Sequence, residues 1–144
     1  MNVNFFGTIN CLAAVLPRFR HRRAGQVAVV ASVAGYRGLP TSAAYGATKA
    51  ALINMCESLY LELLRDGVTI SLINPGFVRT PLTERNPFPM PFLIEPDDAA
   101  HRIIDGLNSK RFEITFPKRF TWPLKMLRLL PYSVYFQIIK RITQ

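Results

Sequence analysis

The sequence predicts an α/β fold in which helices connect the strands of one parallel sheet. Helical and strand patterns alternate along the chain, in the order helix, strand, helix, strand, helix, strand. The strand candidates are short runs rich in β-branched residues, which are typical of strands buried on both faces. With 144 residues, 49% of them hydrophobic, the chain is long enough for one domain with a hydrophobic core.

The first helix and the first strand are predicted from the opening 32 residues. Apolar residues recur at helical spacing over positions 2–19, and Pro17 with the basic stretch RFRHRR predicts the end of this helix. Gly25 then opens GQVAVVAS, which we interpret as a strand buried on both faces. The stretch VAGYRGLPTS contains glycine and proline and predicts a loop.

A long helix, a strand, a short helix and a third strand follow. An apolar stripe at positions 52, 55, 59 and 63 predicts a helix over residues 43–64, and Asp66 with Gly67 ends it. VTISLIN predicts a second buried strand, which ends at NPGF, and the proline-rich residues 81–96 predict an irregular loop. PDDAAHRIIDGL predicts a helix with Pro96 at its start, and FEITF predicts the third strand.

Residues 117–144 form a basic and aromatic tail. The net charge of the chain is +9, and no acidic residue follows Glu113, which favours anionic partners. Positions 135, 138, 139 and 142 follow the spacing of an apolar helix stripe. Pro123 and Pro131 predict two short helices, each beginning at its proline.

Two interpretations of this tail stay open. Phe120 and Trp122 beside Lys118 and Arg119 suit peripheral contact with a membrane interface, on its cytoplasmic face. Alternatively, the apolar stripe covers a substrate pocket or a subunit interface, and the basic side chains are solvated. Binding to nucleic acid is disfavoured, because no nucleic-acid fold signature accompanies the charge.

The two cysteines and the hydropathy of the chain indicate the cellular compartment in which we expect the protein. Cys11 and Cys56 lack CxxC spacing and a nearby histidine cluster, so neither a zinc site nor a disulfide framework is indicated. We expect both to be buried, reduced thiols. The sequence shows no signal-peptide pattern and no uncharged apolar run of about 18 residues, so we expect a cytoplasmic protein without a spanning helix.

The stretch SAAYGATKAAL holds the first candidates for chemistry. Tyr45 and Lys49 lie one turn apart on one helix face, where an ammonium lowers the pKa of a phenol and makes it a usable proton donor or acceptor. Ser32 and the pair Pro75 and Gly76 follow the first two strands, at the edge where open α/β sheets bind ligands. Taken singly, a solvated tyrosine and lysine, a strand-end hydroxyl and an ordinary turn are the simpler interpretations.

Taken together, these stretches resemble the short-chain dehydrogenase/reductases over residues 4–116. VNFFGT is similar to the helix that carries the family's asparagine. VAVVASVAGYRGLPTSAAYGATKAAL is similar to its serine-tyrosine-lysine segment, and INPGFVRTPL to the segment beside the nicotinamide. The resemblance implies part of a Rossmann-type, doubly wound parallel sheet with flanking helices over residues 1–116, followed by the helical basic tail at 117–144.

The resemblance also implies an activity and a set of roles. The chain is expected to be an NAD(P)-dependent oxidoreductase that interconverts a carbonyl and a secondary alcohol. Tyr45 would be the general acid/base, Lys49 would hold the nicotinamide ribose, Ser32 would orient the substrate oxygen, and Asn4 would fix a water in the proton path. The residues lining the nicotinamide of NAD or NADP would be Tyr45, Lys49, Pro75, Gly76, Val78 and Thr80.

Substrate and assembly are expected from the same resemblance. The apolar stretch NPFPMPFLI is similar in position to the family's substrate lid, which implies an apolar or lipid-like substrate. The helix over 43–64 resembles the element through which the family usually forms homodimers.

One expected motif does not occur. The eight glycines never form G-x-G-x-x-G, and no Asn-Asn-Ala-Gly stretch precedes the asparagine helix. We therefore expect that the chain begins inside that helix, through a start site assigned too late or a partial gene, and that it exposes a sheet edge. Alone it should bind dinucleotide poorly, with NAD or NADP preference not predictable. The alternative is a non-enzymatic remnant that associates with a membrane or a protein.

Overall fold

The computed structural model describes residues 1–81, 83–86 and 88–143, and it confirms the α/β class. A three-stranded parallel sheet has the order β1-β2-β3 and carries helices on its flanks. The strands are β1 (Gly25–Val30), β2 (Val68–Pro75) and β3 (Glu113–Phe116). The α-helices are α1 (Gly7–His21), α2 (Ala43–Arg65), α3 (Pro96–Asn108), α4 (Lys118–Met126) and α5 (Tyr132–Thr143), and a π-helical turn over Asn2–Phe6 precedes α1.

The strand register brings the carboxyl ends of all three strands to one edge of the sheet. The backbone N–H of Ala31, just past β1, donates to the Ile73 carbonyl at 2.8 Å, and that of Gly76, just past β2, donates to the Phe116 carbonyl at 2.8 Å. Segments that leave β1 and β2 therefore start side by side. The register pairs Gly25 with Val68, Val30 with Ile73, Leu72 with Glu113, and Pro75 with Phe116.

The expectation that β1 is buried on both faces is wrong. Val27 and Val29 lie in the core together with residues of α1 and α2, whereas Gln26, Ala28 and Val30 are exposed. Helix α3 packs against β2 and β3 instead. It reaches β1 through a hydrogen bond from Gln26 Nε2 to the Leu107 carbonyl (2.9 Å). The central strand β2 is buried over most of its length, as its apolar run predicts.

Two prolines do not end or begin helices where the sequence predicts. Helix α1 continues through Pro17 to His21, because Leu16 and Phe19 pack against the core on either side of the proline. Their burial offsets the backbone hydrogen bond that Pro17 cannot make. Helix α4 begins at Lys118, and Pro123 lies inside it. By contrast, α5 begins directly after Pro131, as predicted.

The two cysteines differ in burial, which corrects the expectation for one of them. Both thiols are free. Cys56 of α2 is fully buried, and this burial, together with the nearby Glu57, raises the pKa of its thiol to about 12. Cys11 is exposed, because α1 turns only one face toward the core. In the described part of the chain, none of the helices has both the length and the hydropathy needed to cross a bilayer.

Candidate active site

Two glycines bring the loop after β1 against the start of α2. Ser32 caps the short 3-10 turn of this loop, and its Oγ accepts a hydrogen bond from the Ala34 N–H at 3.2 Å. A Cβ on Gly35 would lie 2.7 Å from the carbonyl carbon of Lys49, and one on Gly46 would lie 3.0 Å from the Ala34 carbonyl oxygen. The absence of side chains at these two positions allows the turn after Ser32 to lie this close to α2.

Tyr45 and Lys49 share a face of α2, and Lys49 also contacts the end of β1. The Lys49 Nζ lies 5.6 Å from the centroid of the Tyr45 ring and donates a hydrogen bond to the Val30 carbonyl oxygen at 3.0 Å. Burial lowers the pKa of Lys49. Tyr45 is 44% exposed, so solvent and small ligands can reach this residue. The sheet edge, the ammonium and the phenol are thus neighbours.

Asn4 contacts α2 through a residue that the sequence pattern did not single out. The Asn4 Nδ2 donates to the Thr48 Oγ1 at 3.2 Å, and the Thr48 hydroxyl donates to the Tyr45 carbonyl oxygen at 2.7 Å. These two hydrogen bonds link Asn4 to the backbone of the helix segment that carries Tyr45 and Lys49. Thr48 is buried, but nothing in its sequence context distinguishes it from an ordinary helix threonine.

The segment after β2 lies beside β3 and α4. Pro75 is the last residue of β2, and a Cβ on Gly76 would lie 2.8 Å from the Phe120 ring and 3.3 Å from the Phe116 carbonyl oxygen. A larger residue at position 76 would therefore require the Phe120 ring in the first turn of α4 to shift. No hydrogen bond between described residues joins this segment to Tyr45 or Lys49.

Val78 and Thr80 lie further along the same segment. Val78 forms an isolated parallel bridge with Ile94, which closes the irregular stretch between them into a loop. The Thr80 hydroxyl lies 3.1 Å from the Thr83 hydroxyl, and the Thr80 N–H donates to the same oxygen at 2.9 Å. Leu82, the last residue of INPGFVRTPL, lies outside the described residues.

The apolar stretch NPFPMPFLI presents aromatic side chains near this segment. Phe88 and Phe92 are both exposed, and their rings lie 6.0 Å from Phe77 and 6.2 Å from Phe120, respectively. Pro87 of this stretch lies outside the described residues.

A polar cluster around Glu113 ties the loop after β1 to β2, β3 and α4, and the sequence pattern did not predict it. The Glu113 Oε1 accepts hydrogen bonds from the Tyr36 hydroxyl at 2.7 Å and the Asn74 Nδ2 at 2.9 Å, and Oε2 accepts from Lys125. Burial raises the pKa of Glu113, but the hydrogen bonds from Lys125, Tyr36 and Asn74 outweigh it, and the pKa lies below its ordinary value. Burial, with a further contribution from the Glu113 carboxylate, raises the pKa of Tyr36.

The same loop also anchors the last helix. The Arg37 guanidinium lies 4.0 Å from the Tyr135 ring centroid and 4.9 Å from that of Tyr132, and it donates to the Leu130 carbonyl at 2.7 Å. The Tyr135 hydroxyl donates to the Gly38 carbonyl. Part of the apolar stripe of the tail, Tyr135 included, therefore packs on the chain's own loop.

Comparison with known proteins shows which family the chain resembles over most of its length. Residues 1–88 match the family model described as short chain dehydrogenase. The chain is 39% identical over 142 residues to an uncharacterized oxidoreductase of Myxococcus xanthus, covering 99% of this chain and 56% of that protein. It is 46% identical over 85 residues to the 17-beta-hydroxysteroid dehydrogenase type 1 of Mus musculus, covering 59% of this chain and 25% of that protein.

A solved structure shows the same similarity in three dimensions. A short-chain dehydrogenase from Sphingobium yanoikuyae in complex with NADPH superimposes with a TM-score of 0.73 at 27% identity, over 79% of this chain and 46% of that one. The chain therefore spans about half the length of this structure and of the Myxococcus relative.

Proposed function

The chain belongs to the short-chain dehydrogenase family, and on this premise we propose that it carries the catalytic residues of an NAD(P)-dependent oxidoreductase acting on a carbonyl and alcohol pair. One observation carries the proposal: an exposed phenol, Tyr45, has the Lys49 ammonium beside its ring at the carboxyl edge of a parallel sheet. Ser32 follows the end of β1, the strand whose Val30 carbonyl accepts a hydrogen bond from Lys49. Phenol, ammonium and hydroxyl are the groups that move a proton to or from a substrate oxygen.

The proposed proton transfer uses residues of this chain. In the reducing direction, the Tyr45 hydroxyl donates its proton to the carbonyl oxygen as the carbon accepts a hydride, and the Lys49 ammonium stabilises the phenolate that remains. In the oxidising direction the phenolate accepts the proton of the alcohol. The Ser32 oxygen accepts from the Ala34 N–H, which leaves its own O–H free to donate to the substrate oxygen.

Asn4 and Thr48 support the return of the proton. The Asn4 Nδ2 is occupied by the Thr48 hydroxyl, which leaves the Asn4 Oδ1 as the acceptor for a water. We assign to that water the next position in the proton path after Lys49. The bond from Thr48 to the Tyr45 carbonyl keeps Asn4 in register with the catalytic turn of α2.

When bound, a nicotinamide dinucleotide supplies or takes up the hydride. The hydrogen-bond donors suit the nicotinamide half of the cofactor, because Lys49 and Tyr45 offer N–H and O–H groups to ribose hydroxyls. The segment with Pro75, Gly76, Val78 and Thr80 begins at the end of β2, the strand that pairs with β1. The glycine-rich turn that holds a pyrophosphate does not occur in the 144 residues. We therefore expect this chain alone to bind the whole dinucleotide weakly and to turn over slowly. The S. yanoikuyae structure contains NADPH, which supports a nicotinamide cofactor without deciding between NAD and NADP.

The proposed substrate is a ketone or secondary alcohol with an apolar body. The exposed rings of Phe88 and Phe92 support this proposal, because they offer apolar surface beside the segment after β2. Two relatives are named for apolar compounds: the 17-beta-hydroxysteroid dehydrogenase and the retinol dehydrogenase 8 of Bos taurus, which is 42% identical over 79 residues.

A binding experiment tests the assigned half-site in the chain as it stands. Nicotinamide mononucleotide carries only the base, ribose and phosphate that these residues would contact, and adenosine monophosphate is the matched control ligand. In NMR titrations of isotope-labelled chain, the nicotinamide nucleotide should shift the amides around Tyr45, Lys49 and Gly76, whereas the adenosine nucleotide should leave them in place. Equal shifts from both ligands, or no shift from either at millimolar concentration, would contradict the proposal.

The second candidate is a non-enzymatic module that associates with a membrane or protein through residues 117–144. The exposed side chains of Trp122 and Phe136, with Lys118 and Arg119 nearby, favour a peripheral contact on a cytoplasmic membrane face. The variant Trp122→Gln with Phe136→Gln leaves the Tyr135 anchor in place and should lose flotation with anionic vesicles. Unchanged flotation, or none in the parent chain, counts against the membrane contact.

We also propose that the chain forms a homodimer through α2. Leu61 and Leu64 of this helix are exposed by 60% and 56%, so they offer apolar surface to a second copy. Sedimentation velocity should show a dimer that Leu64→Glu dissociates. A monomer at all concentrations would refute the assignment.

A further inference from the structure

A separate cleft of about 1320 Å³ lies between α3, β3 and α4. Its floor is the free edge of β3, since β3 pairs with β2 alone among the described strands. The proposed catalytic and cofactor-binding residues do not line it, although Phe92, which we assign to the substrate, does. It is therefore a second concavity, and its volume exceeds the roughly 300–1,000 Å³ of ordinary small-molecule pockets.

The charge of the cleft is strongly positive. It has two acidic side chains, Asp105 and Glu113, and Glu113 is already paired with Lys125. In the described part of the chain, no ion pair engages Arg102, Arg111, Lys118 or Arg119. The basic side chains that line the cleft are Arg102, Arg111, Lys118, Arg119, Lys125 and Arg128.

One wall of the cleft is apolar and exposed to solvent. Trp122, Met126 and Leu129 follow one another at i, i+4 and i+7, and all three line the cleft although they are 61%, 57% and 75% exposed. Phe92 and Leu93 extend this wall from the loop before α3. Large apolar side chains left in water beside a concave surface indicate a ligand that covers them.

We propose that this cleft binds a long-chain fatty carboxylate, with the hydrocarbon chain along Trp122, Met126 and Leu129 and the carboxylate at the unpaired basic side chains. The two chemical halves of such a ligand match the two kinds of wall. A concave site favours a single amphiphile over a flat bilayer surface. A polyanion without hydrocarbon would leave the apolar wall in water.

Trp122 is the only tryptophan of the chain, so it reports directly on this cleft. Titration with 9,10-dibromostearate, kept below its critical micelle concentration, should quench Trp122 fluorescence saturably, because bromine quenches an indole that it contacts. The neutral analogue 9,10-dibromooctadecan-1-ol should bind at least about tenfold more weakly, which is the loss expected on removing one charge-assisted contact. Absence of saturable quenching, or equal affinity for both compounds, would overturn the proposal.

Matched variants assign the binding to these side chains. Arg102→Gln combined with Arg119→Gln should weaken quenching by dibromostearate about tenfold or more. Lys140→Gln combined with Arg141→Gln removes the same charge from α5, away from the cleft, and should leave it unchanged. An equal effect of both pairs would mean general attraction to a basic protein and would refute the site.

Two other occupants of the cleft would give different results in this experiment, and either of these results would overturn the proposal. A second copy seated on the β3 edge would shift Trp122 fluorescence to the blue as the concentration of protein rises without ligand. A membrane surface would give quenching by vesicles of brominated phosphatidylglycerol but none by the monomeric acid.

Discussion

Lys49 shows how much of the site depends on the contacts of single residues. Its ammonium bonds the Val30 carbonyl at the end of β1 while its stem lies along the α2 face that carries Tyr45. A carbonyl contact leaves the ammonium with donors to spare for a phenolate or a ribose hydroxyl. Burial lowers the pKa of Lys49, so its proton is held less tightly than that of a surface lysine.

Removing the Tyr45 hydroxyl gives the most direct test of the proposed chemistry. Tyr45→Phe should lower the slow NADPH-dependent reduction of an apolar ketone at least about 100-fold, since general acid catalysis contributes about 10²–10⁴-fold. Tyr60→Phe on the same helix, whose ring packs on Phe112, is the matched control and should keep the parent rate. Product chromatography after long incubation measures both; equal rates for Tyr45→Phe and the parent chain would exclude the assigned role.

Gly35 and Gly38 allow a matched comparison within one loop. Gly35→Ala would place a methyl group 2.7 Å from the Lys49 carbonyl carbon and 2.8 Å from the Ala50 nitrogen, whereas nothing lies within 4 Å of a Cβ on Gly38. We expect Gly35→Ala to lower the free energy of unfolding by about 1–3 kcal/mol through overpacking, and Gly38→Ala to change it little. Urea unfolding measures both; a neutral Gly35→Ala would show that the loop does not need this close approach to α2.

At the scale of elements, the Glu113 cluster fastens α4 and the loop after β1 to the sheet. Glu113 accepts from Tyr36 of the loop, Asn74 of β2 and Lys125 of α4. Arg37 of the same loop bonds the segment between α4 and α5. The tail is therefore joined to the loop that begins at Ser32 by both polar and stacking contacts.

The cluster predicts a dependence of stability on pH. The pKa of Glu113 in the folded chain lies below its ordinary value of 4.5, so its contribution is fully present above that pH and is lost as the pH falls through the folded value. At pH 7, Glu113→Gln should lower the free energy of unfolding by about 1–3 kcal/mol, as for hydrogen bonds to a charged group. The difference from the parent chain should shrink as the pH falls below 4.5.

Urea unfolding between pH 7 and pH 3 measures this effect. Glu84→Gln, at an exposed position, is the control and should follow the parent curve at every pH. A gap between Glu113→Gln and the parent chain that stays constant with pH would contradict the linkage.

At the scale of the whole molecule, the sheet has two open sides. Strand β1 pairs with β2 alone among the described strands, and its outer face exposes Gln26, Ala28 and Val30. An uncovered strand edge with apolar neighbours is a template for pairing with another chain. The other open side, at β3, is lined by the basic cleft.

This arrangement predicts association through β1. Ala28→Lys should reduce concentration-dependent light scattering of the purified chain, because a charge on an exposed strand opposes edge-to-edge pairing. Ala100→Lys adds the same charge at an exposed position of α3 and is the matched control. Equal reductions by both variants would point to net charge rather than the β1 surface.

The order of the elements, the three strands and the shared helix face of Tyr45 and Lys49 could all be predicted from the sequence. Short β-branched runs predict β1, β2 and β3 because that composition packs on a pleated surface, and the spacing of Tyr45 and Lys49 decides that they share a helix face. The exposed face of β1 and the continuation of α1 through Pro17 could not be predicted, because both depend on which surfaces other elements cover.

Spacing along the chain therefore predicts the strands, the apolar faces of the helices and the residue types available for catalysis, whereas the bounds of the helices that contain Pro17 and Pro123 depend on packing. The packing of the elements brings Glu113 of β3 together with Tyr36 of the loop after β1, Asn74 of β2 and Lys125 of α4. It also decided that Thr48 links Asn4 to α2, and that six basic side chains surround an apolar wall at β3. Such arrangements depend on how the elements pack in space, and this packing cannot be predicted from the spacing of residues along the sequence.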